Sequence, residues 1–194
     1  MEQVETIRTR LDISVLSFKN PSRSAGDFCN RVYNRSMITY RPAQTAEFPE
    51  LAELRWQFRV EHDASQPGFD ASDAAHAEFI PVCLEFLQQG LTEGRWTYWV
   101  AVQDDGLIVS NAYVYRIPKV PRPGLLRGQI GYVTNVYTRP TWRGQGIGAQ
   151  LLRAMQAWAR DNAVERLILW PAEGRQDFYG RLGFLPGETL EWDG

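Results

Sequence analysis

The chain has 194 residues, a formal net charge of −2, 44% hydrophobic residues and 23% charged ones. That length suits one domain with a buried core, and the near-neutral balance provides no global field for nucleic acid or an acidic membrane surface. No uninterrupted apolar run reaches the roughly 18 residues of a membrane-spanning helix, and Glu2, Glu5 and Asp12 argue against a secretion signal at the start. Cys29, Cys83, His62 and His76 match no metal or redox spacing. The expectation is a reduced, cytoplasmic protein without a metal site.

Met1 to Ser36 mixes arginines with Asn20-Pro21-Ser22 and Ser24-Ala25-Gly26 and sustains no period. It reads as an N-terminal extension (1–36), or an upstream misassigned start, ahead of a single domain (37–194). Ile38 to Ala43 alternates as a strand ended by proline. Ala46 to Asp63 places Phe48, Leu51, Leu54 with Arg55, and Phe58 at helical intervals. After the loop Ala64 to Gly68, Ser72 caps a second helix towards Gln89, with Phe79, Val82, Cys83, Phe86 and Leu87 as its expected buried stripe and a kink or break expected at Pro81. Trp96 to Val102 and Leu107 to Ile117 form a hairpin about Asp104-Asp105-Gly106. Ile130 to Thr138 is a third strong strand.

A glycine turn, Arg143-Gly144-Gln145-Gly146-Ile147-Gly148-Ala149, then opens an amphipathic helix from Ile147 to Asn162 with the stripe Ile147, Leu151, Met155 and Trp158. Arg166 to Trp170 follows as a nearly all-apolar strand, expected to be central and covered on both faces. A short helix, Arg175 to Leu182, ends at Gly183, and Thr189 to Trp192 reads as a last strand. This order describes a mixed α/β sheet with helices on both faces.

The turn favours a phosphate. Its glycines let several N–H groups converge, and the helix start behind them adds partial positive charge. A P-loop is excluded because no lysine follows the glycines. Gly144, Gly146 and Ala149 formally satisfy a dinucleotide fingerprint, but Arg139 to Arg143 separate the strand from the first glycine, and too little chain follows for further βαβ units.

Arg143-x-x-Gly146-x-Gly148, with Val136-Tyr137-Thr138-Arg139-Pro140 before it and Phe178-Tyr179-Gly180-Arg181-Leu182-Gly183-Phe184 after it, resembles the GCN5-related N-acetyltransferase (GNAT) superfamily. The resemblance runs from Ile38 to the C-terminus, about four-fifths of the chain. It implies the GNAT fold: a mixed, mostly antiparallel sheet splayed at the cofactor site. It implies acetyl-CoA as co-substrate, its pyrophosphate on main-chain N–H groups of Arg143, Gly144, Gln145, Gly146, Ile147 and Gly148. Val136, Tyr137 and Thr138 would hold pantetheine as an added strand does, with an N–H near Val136 meeting the thioester oxygen.

The resemblance also makes Tyr179 the general acid for the departing thiolate. A phenol suits that role, because its ordinary pKa near 10 keeps it protonated at neutral pH. Asn135 either orients the acetyl group or ties off a β-bulge. No acidic residue lies between Gly131 and Thr138, where many relatives carry the base. Glu61, His62, Asp63 and a water chain are the alternatives. Trp56, Phe58, Trp96, Trp99 and Tyr113 either line the acceptor site or pack the core.

The reading is acetyl transfer to a primary amine, of a small molecule first and of a peptide or protein second, by direct attack in a ternary complex. A non-catalytic acyl-CoA sensor is the rival. Relatives commonly dimerise, but nothing from Leu185 onward decides it.

Overall fold

A computed structural model describes residues 37–187 together with Leu190 and Trp192. The expectation for the 1–36 extension therefore lies outside the described residues, as do Thr189 and Glu191 of the expected last strand.

The elements run β1 (Ile38–Pro42), a 3-10 helix (Thr45–Glu47), α1 (Phe48–Asp63), α2 (Asp73–Thr92), β2 (Trp96–Gln103), β3 (Ile108–Pro118), β4 (Gln129–Thr138), a second 3-10 helix (Pro140–Trp142), α3 (Ile147–Asp161), β5 (Val164–Ile168) and α4 (Gln176–Gly180). The strands form one sheet in sequential order. Every neighbouring pair is antiparallel except β4 and β5, which are parallel. The crossover that parallel strands require is α3.

Each face of the sheet has its own apolar cluster. On one, Phe48, Leu51 and Leu54 of α1 and Cys83 and Leu87 of α2 pack on Tyr98, Val100, Tyr113 and Tyr137. On the other, Ile147, Leu151, Leu152 and Met155 of α3 pack on Trp99, Ala101, Ala112, Val114 and Val133. Burying one such aliphatic side chain stabilises the fold by about 1.5–3 kcal/mol. Because both faces are covered, β2 is buried continuously from Tyr98 to Val102 rather than at alternate positions.

Three expectations need correction. First, α2 is unbroken across Pro81 and reaches Thr92. Pro81 and Ala77, whose carbonyl loses its i+4 donor, both lie on the exposed side of the helix, where water can take the free carbonyl. Second, the stripe α2 buries is Phe79, Ile80, Cys83, Leu84 and Leu87. Val82 and Phe86 sit about 100° around the helix from the buried positions that follow them and are 61% and 45% exposed. Third, the strand expected at Arg166 to Trp170 begins at Val164, ends at Ile168 and stands at the end of the strand order among the described residues, with Glu165 and Arg166 exposed. Leu167 of the strand and Leu169 just beyond it pack on the α3 cluster.

Two features of β4 position the site. Its register with β5 runs only from Gln129↔Val164 to Tyr132↔Ile168, so from Val133 onward the β5 side of β4 is open among the described residues. Its register with β3 slips between Asn111 and Tyr113, opposite Asn135, whose φ is +51°. This is a β-bulge with an asparagine in the left-handed region, one of the few non-glycine residues that tolerates it.

Candidate active site

The loop after β4 curls through left-handed backbone at Gly144 (φ +75°) and Gly146 (φ +77°), and Gly146 is the N-cap of α3. A glycine has no side chain with which to cap the helix. Among the described residues the backbone N–H groups from Gly144 to Gly148 make no hydrogen bond. This leaves a row of donors and the positive end of a 15-residue helix at the mouth of the opening beside β4. Gly148 lies tight against the strand end: a Cβ there would stand 3.1 Å from Thr138 Oγ1 and 3.9 Å from the Phe178 ring. Turn, strand end and α4 are therefore neighbours, although 30 residues separate Gly148 from Phe178 in sequence.

Arg143 is neither simply solvated nor free to meet a phosphate. Its guanidinium grips Glu61 in a two-pronged ion pair, Nη1–Oε1 2.6 Å and Nη2–Oε2 2.7 Å. Its Nε donates to Thr138 O at 2.9 Å, and the cation lies 5.5 Å from the Tyr137 ring centre. Arg143 holds the Glu61 carboxylate below its usual range by that hydrogen-bonded pairing, with Tyr137 donating to the same carboxylate. Burial in turn pushes the Tyr137 phenol up, and the Glu61 charge adds to the shift. The latch fixes the C-terminal end of α1 to the glycine turn.

The bulge at Asn135 is held on two sides. Asn111 Nδ2 donates to its main-chain oxygen at 2.9 Å, and Arg55 Nη1 donates to its Oδ1 at 2.9 Å. Asn135 Nδ2 and Asn111 Oδ1 are buried without a hydrogen-bond partner. Such orphaned groups are costly in an interior. The amide that ties off the bulge is that of Asn111; the Asn135 side chain is turned to Arg55 instead. Val136 and Thr138 fall on the α3 side of β4, and Tyr137 on the α1 side. Ser110 locks the strand end by donating to Tyr137 O at 2.7 Å and pairing with Thr138 Oγ1 at 2.8 Å.

Tyr179 stands on α4, half-buried between the rings of Phe178 (5.0 Å) and Phe184 (5.8 Å). Burial raises its phenol above the ordinary value of 10, so it keeps its proton through the neutral range. The fold-back of Phe184 follows from Gly183, whose φ is +85°.

At the end of α1, Glu61 is committed to Arg143. Asp63 is buried and paired with Arg59, and His62 Nδ1 meets Asp63 Oδ1 at 3.1 Å. His62 Nε2 has no partner among the described residues. The aromatic candidates separate by place. Phe58 and Tyr113 adjoin the opening, through Tyr137 (5.7 Å) and Asn135. Trp56 packs between α1 and α2 on Phe79 and His76, Trp96 stacks on Tyr98, and Trp99 lies on the opposite face against Trp158. Sequence reading passed over Arg55 and Arg59 as site residues. The available signal was a cation at position 55, inside the apolar stripe Leu51, Leu54, Phe58.

A five-stranded sheet opened beside β4, with a donor-lined turn at its mouth, is the architecture of proteins that bind a phosphorylated acyl carrier. Residues 48–184 match the acetyltransferase (GNAT) family. Among solved structures, a predicted acetyltransferase with acetyl-CoA from Clostridium acetobutylicum superimposes with a TM-score of 0.64 at 23% identity, covering 81% of this chain and 96% of that one.

Among curated proteins, an aminoglycoside N(6')-acetyltransferase type 1 from Stenotrophomonas maltophilia is 34% identical over 84 residues, 43% of this chain and 54% of that protein. A glucosamine 6-phosphate N-acetyltransferase from Trypanosoma brucei brucei is 32% identical over 86 residues, 44% of this chain and 56% of that protein. The aligned region thus spans about half the length of these curated relatives. The chain belongs to the acetyltransferase (GNAT) family.

Proposed function

We propose that this protein is a cytoplasmic N-acetyltransferase that moves the acetyl group of acetyl-CoA to a primary amine of a small molecule, by direct attack in a ternary complex. One observation carries the reading: the unpaired N–H groups from Gly144 to Gly148 end a turn that abuts the open edge of β4. Donors of that kind suit a pyrophosphate, and an open strand edge suits an extended amide-bearing arm. The curated relatives' names, with small amino compounds as acceptors, support the acceptor class.

In this reading the neutral amine attacks the thioester carbonyl carbon. The C–N bond forms, the C–S bond breaks, and negative charge passes through the carbonyl oxygen, where a main-chain N–H near Val136 offsets it. The amine's proton leaves to His62, directly or through water. Among the three end-of-helix candidates it alone offers a side-chain atom not already engaged, Nε2, with Asp63 orienting the ring from Nδ1. Glu61 is a poor base because Arg143 stabilises its ionised form. Tyr179 gives its proton to the departing thiolate. Asn135 Nδ2 is the donor that orients the acetyl group or the acceptor.

The test is thiol release from acetyl-CoA, followed with a thiol reagent across a panel of small amines and peptides. Release with small amines supports the proposal, and release with peptides alone moves the acceptor class. Calorimetric binding of acetyl-CoA with no release on any amine identifies a sensor instead.

A further inference from the structure

On the α1 side of the opening, Arg55, Arg59 and Arg143 cluster with the carboxylates of Glu61 and Asp63. Arg143 engages Glu61 and Arg59 engages Asp63. Arg55 is left over. Among the described residues no carboxylate lies within ion-pair distance of it; it donates to the neutral Asn135 amide, and its cation lies 5.5 Å from the Phe58 ring centre. Arg55 is mostly withdrawn from water; burial first and then the nearby Arg59 disfavour its charge, and Asp63, already paired with Arg59, offsets this only as a more distant charge. An arginine nevertheless stays protonated in proteins. A cation held in that position without a carboxylate in direct contact is costly, and it donates to Asn135 at the bulge where β4 opens.

Building on acetyl transfer as the activity, we propose that the acceptor supplies the missing counter-charge: it is an amine that also carries an oxyanion, carboxylate or phosphate, which pairs with Arg55 while the amine faces the open edge of β4. Arg55 has five N–H donors and spends one on Asn135, leaving donors for a charge-assisted contact. The same inventory disfavours a polycationic acceptor, because both carboxylates flanking the opening, Glu61 and Asp63, are already claimed.

The experiment compares kcat/KM for matched acceptors with the full-length protein: glucosamine 6-phosphate against glucosamine, and β-alanine against its amide. The anionic member of one pair should exceed its neutral partner by about ten- to hundredfold, and which pair does so separates phosphate from carboxylate. Arg55→Gln should bring that ratio close to one, and Arg55→Lys should retain part of it. A ratio near one in both wild-type pairs overturns the proposal. So does a ratio that survives Arg55→Gln while all acceptors slow alike, because Arg55 would then act only by holding Asn135.

Calorimetric titration of glucose 6-phosphate and of propionate into the coenzyme A-bound protein reads the same contact without turnover. Binding of either there, with no acetylation of any amine, would refute the activity and keep the oxyanion site. Acetylation without any anionic preference would do the reverse.

Discussion

At Tyr179 the surrounding rings and the burial that raises its phenol suit a proton donor that stays loaded. Tyr179→Phe keeps the packing and removes the proton. Turnover should fall by about tenfold to a hundredfold, with acetyl-CoA affinity nearly unchanged; unchanged kcat removes Tyr179 from the chemistry. Gly146 is a different kind of residue, needed for its φ of +77° rather than for any side chain. Gly146→Val forces a branched residue into the left-handed region, and the KM for acetyl-CoA should rise more than about tenfold as the N–H row is lost. An unaltered KM would separate the turn from the pyrophosphate.

Glu61 also carries a pH signature. Its folded pKa is lowered by Arg143, so whatever the latch contributes is present above the ordinary carboxylate value of 4.5 and is lost as pH falls through the lowered folded value. A carboxyl-carbon NMR titration should find Glu61 still ionised where exposed glutamates have begun to protonate, and Arg143→Gln should return it towards 4.5. Titration alongside the other glutamates in the wild type would mean the latch does not form in solution.

The helices follow from periodicity, but which stripe each one buries is settled by its neighbour. On α3 the expected Ile147, Leu151 and Met155 are buried because the helix lies lengthwise over the sheet. Leu151→Ala should cost about 2–5 kcal/mol in denaturant unfolding. On α2 the stripe turns towards α1 and the start of β2, where Gly90 is buried and has no room for a Cβ against Tyr98 Oη and the Trp96 ring. Pro81 lies outside that contact. Replacing this exposed proline with alanine restores a donor to the Ala77 carbonyl and should raise stability by on the order of 1–3 kcal/mol. A lower midpoint for Pro81→Ala would show that the proline is needed where it stands.

In the molecule as a whole, the described structure opens at Met37, whose main-chain N–H donates to Asp104 Oδ2 at 3.0 Å, and β1 starts with the next residue. We propose that a chain beginning at Met37 contains the complete acetyltransferase fold. It should unfold cooperatively at a midpoint close to that of the full chain and bind acetyl-CoA with similar affinity. Loss of either would place part of Met1 to Ser36 inside the domain.

Local chemistry alone determined the order of strands and helices from Ile38 to Gly180, the glycine turn that opens α3, and the placing of Tyr179 on the short helix after it. These depend on backbone freedom and on side-chain period within a few residues, and both can be read from neighbours in the chain. Only tertiary structure decided that Arg143 spends its charge on Glu61, that Trp99 belongs to the far face, that β5 stands at the end of the described strand order, and that Arg55 is left without a carboxylate. Those outcomes depend on which groups meet across separations of up to 82 residues, as Glu61 and Arg143 do. A charge is free or satisfied only with respect to partners that folding brings within reach.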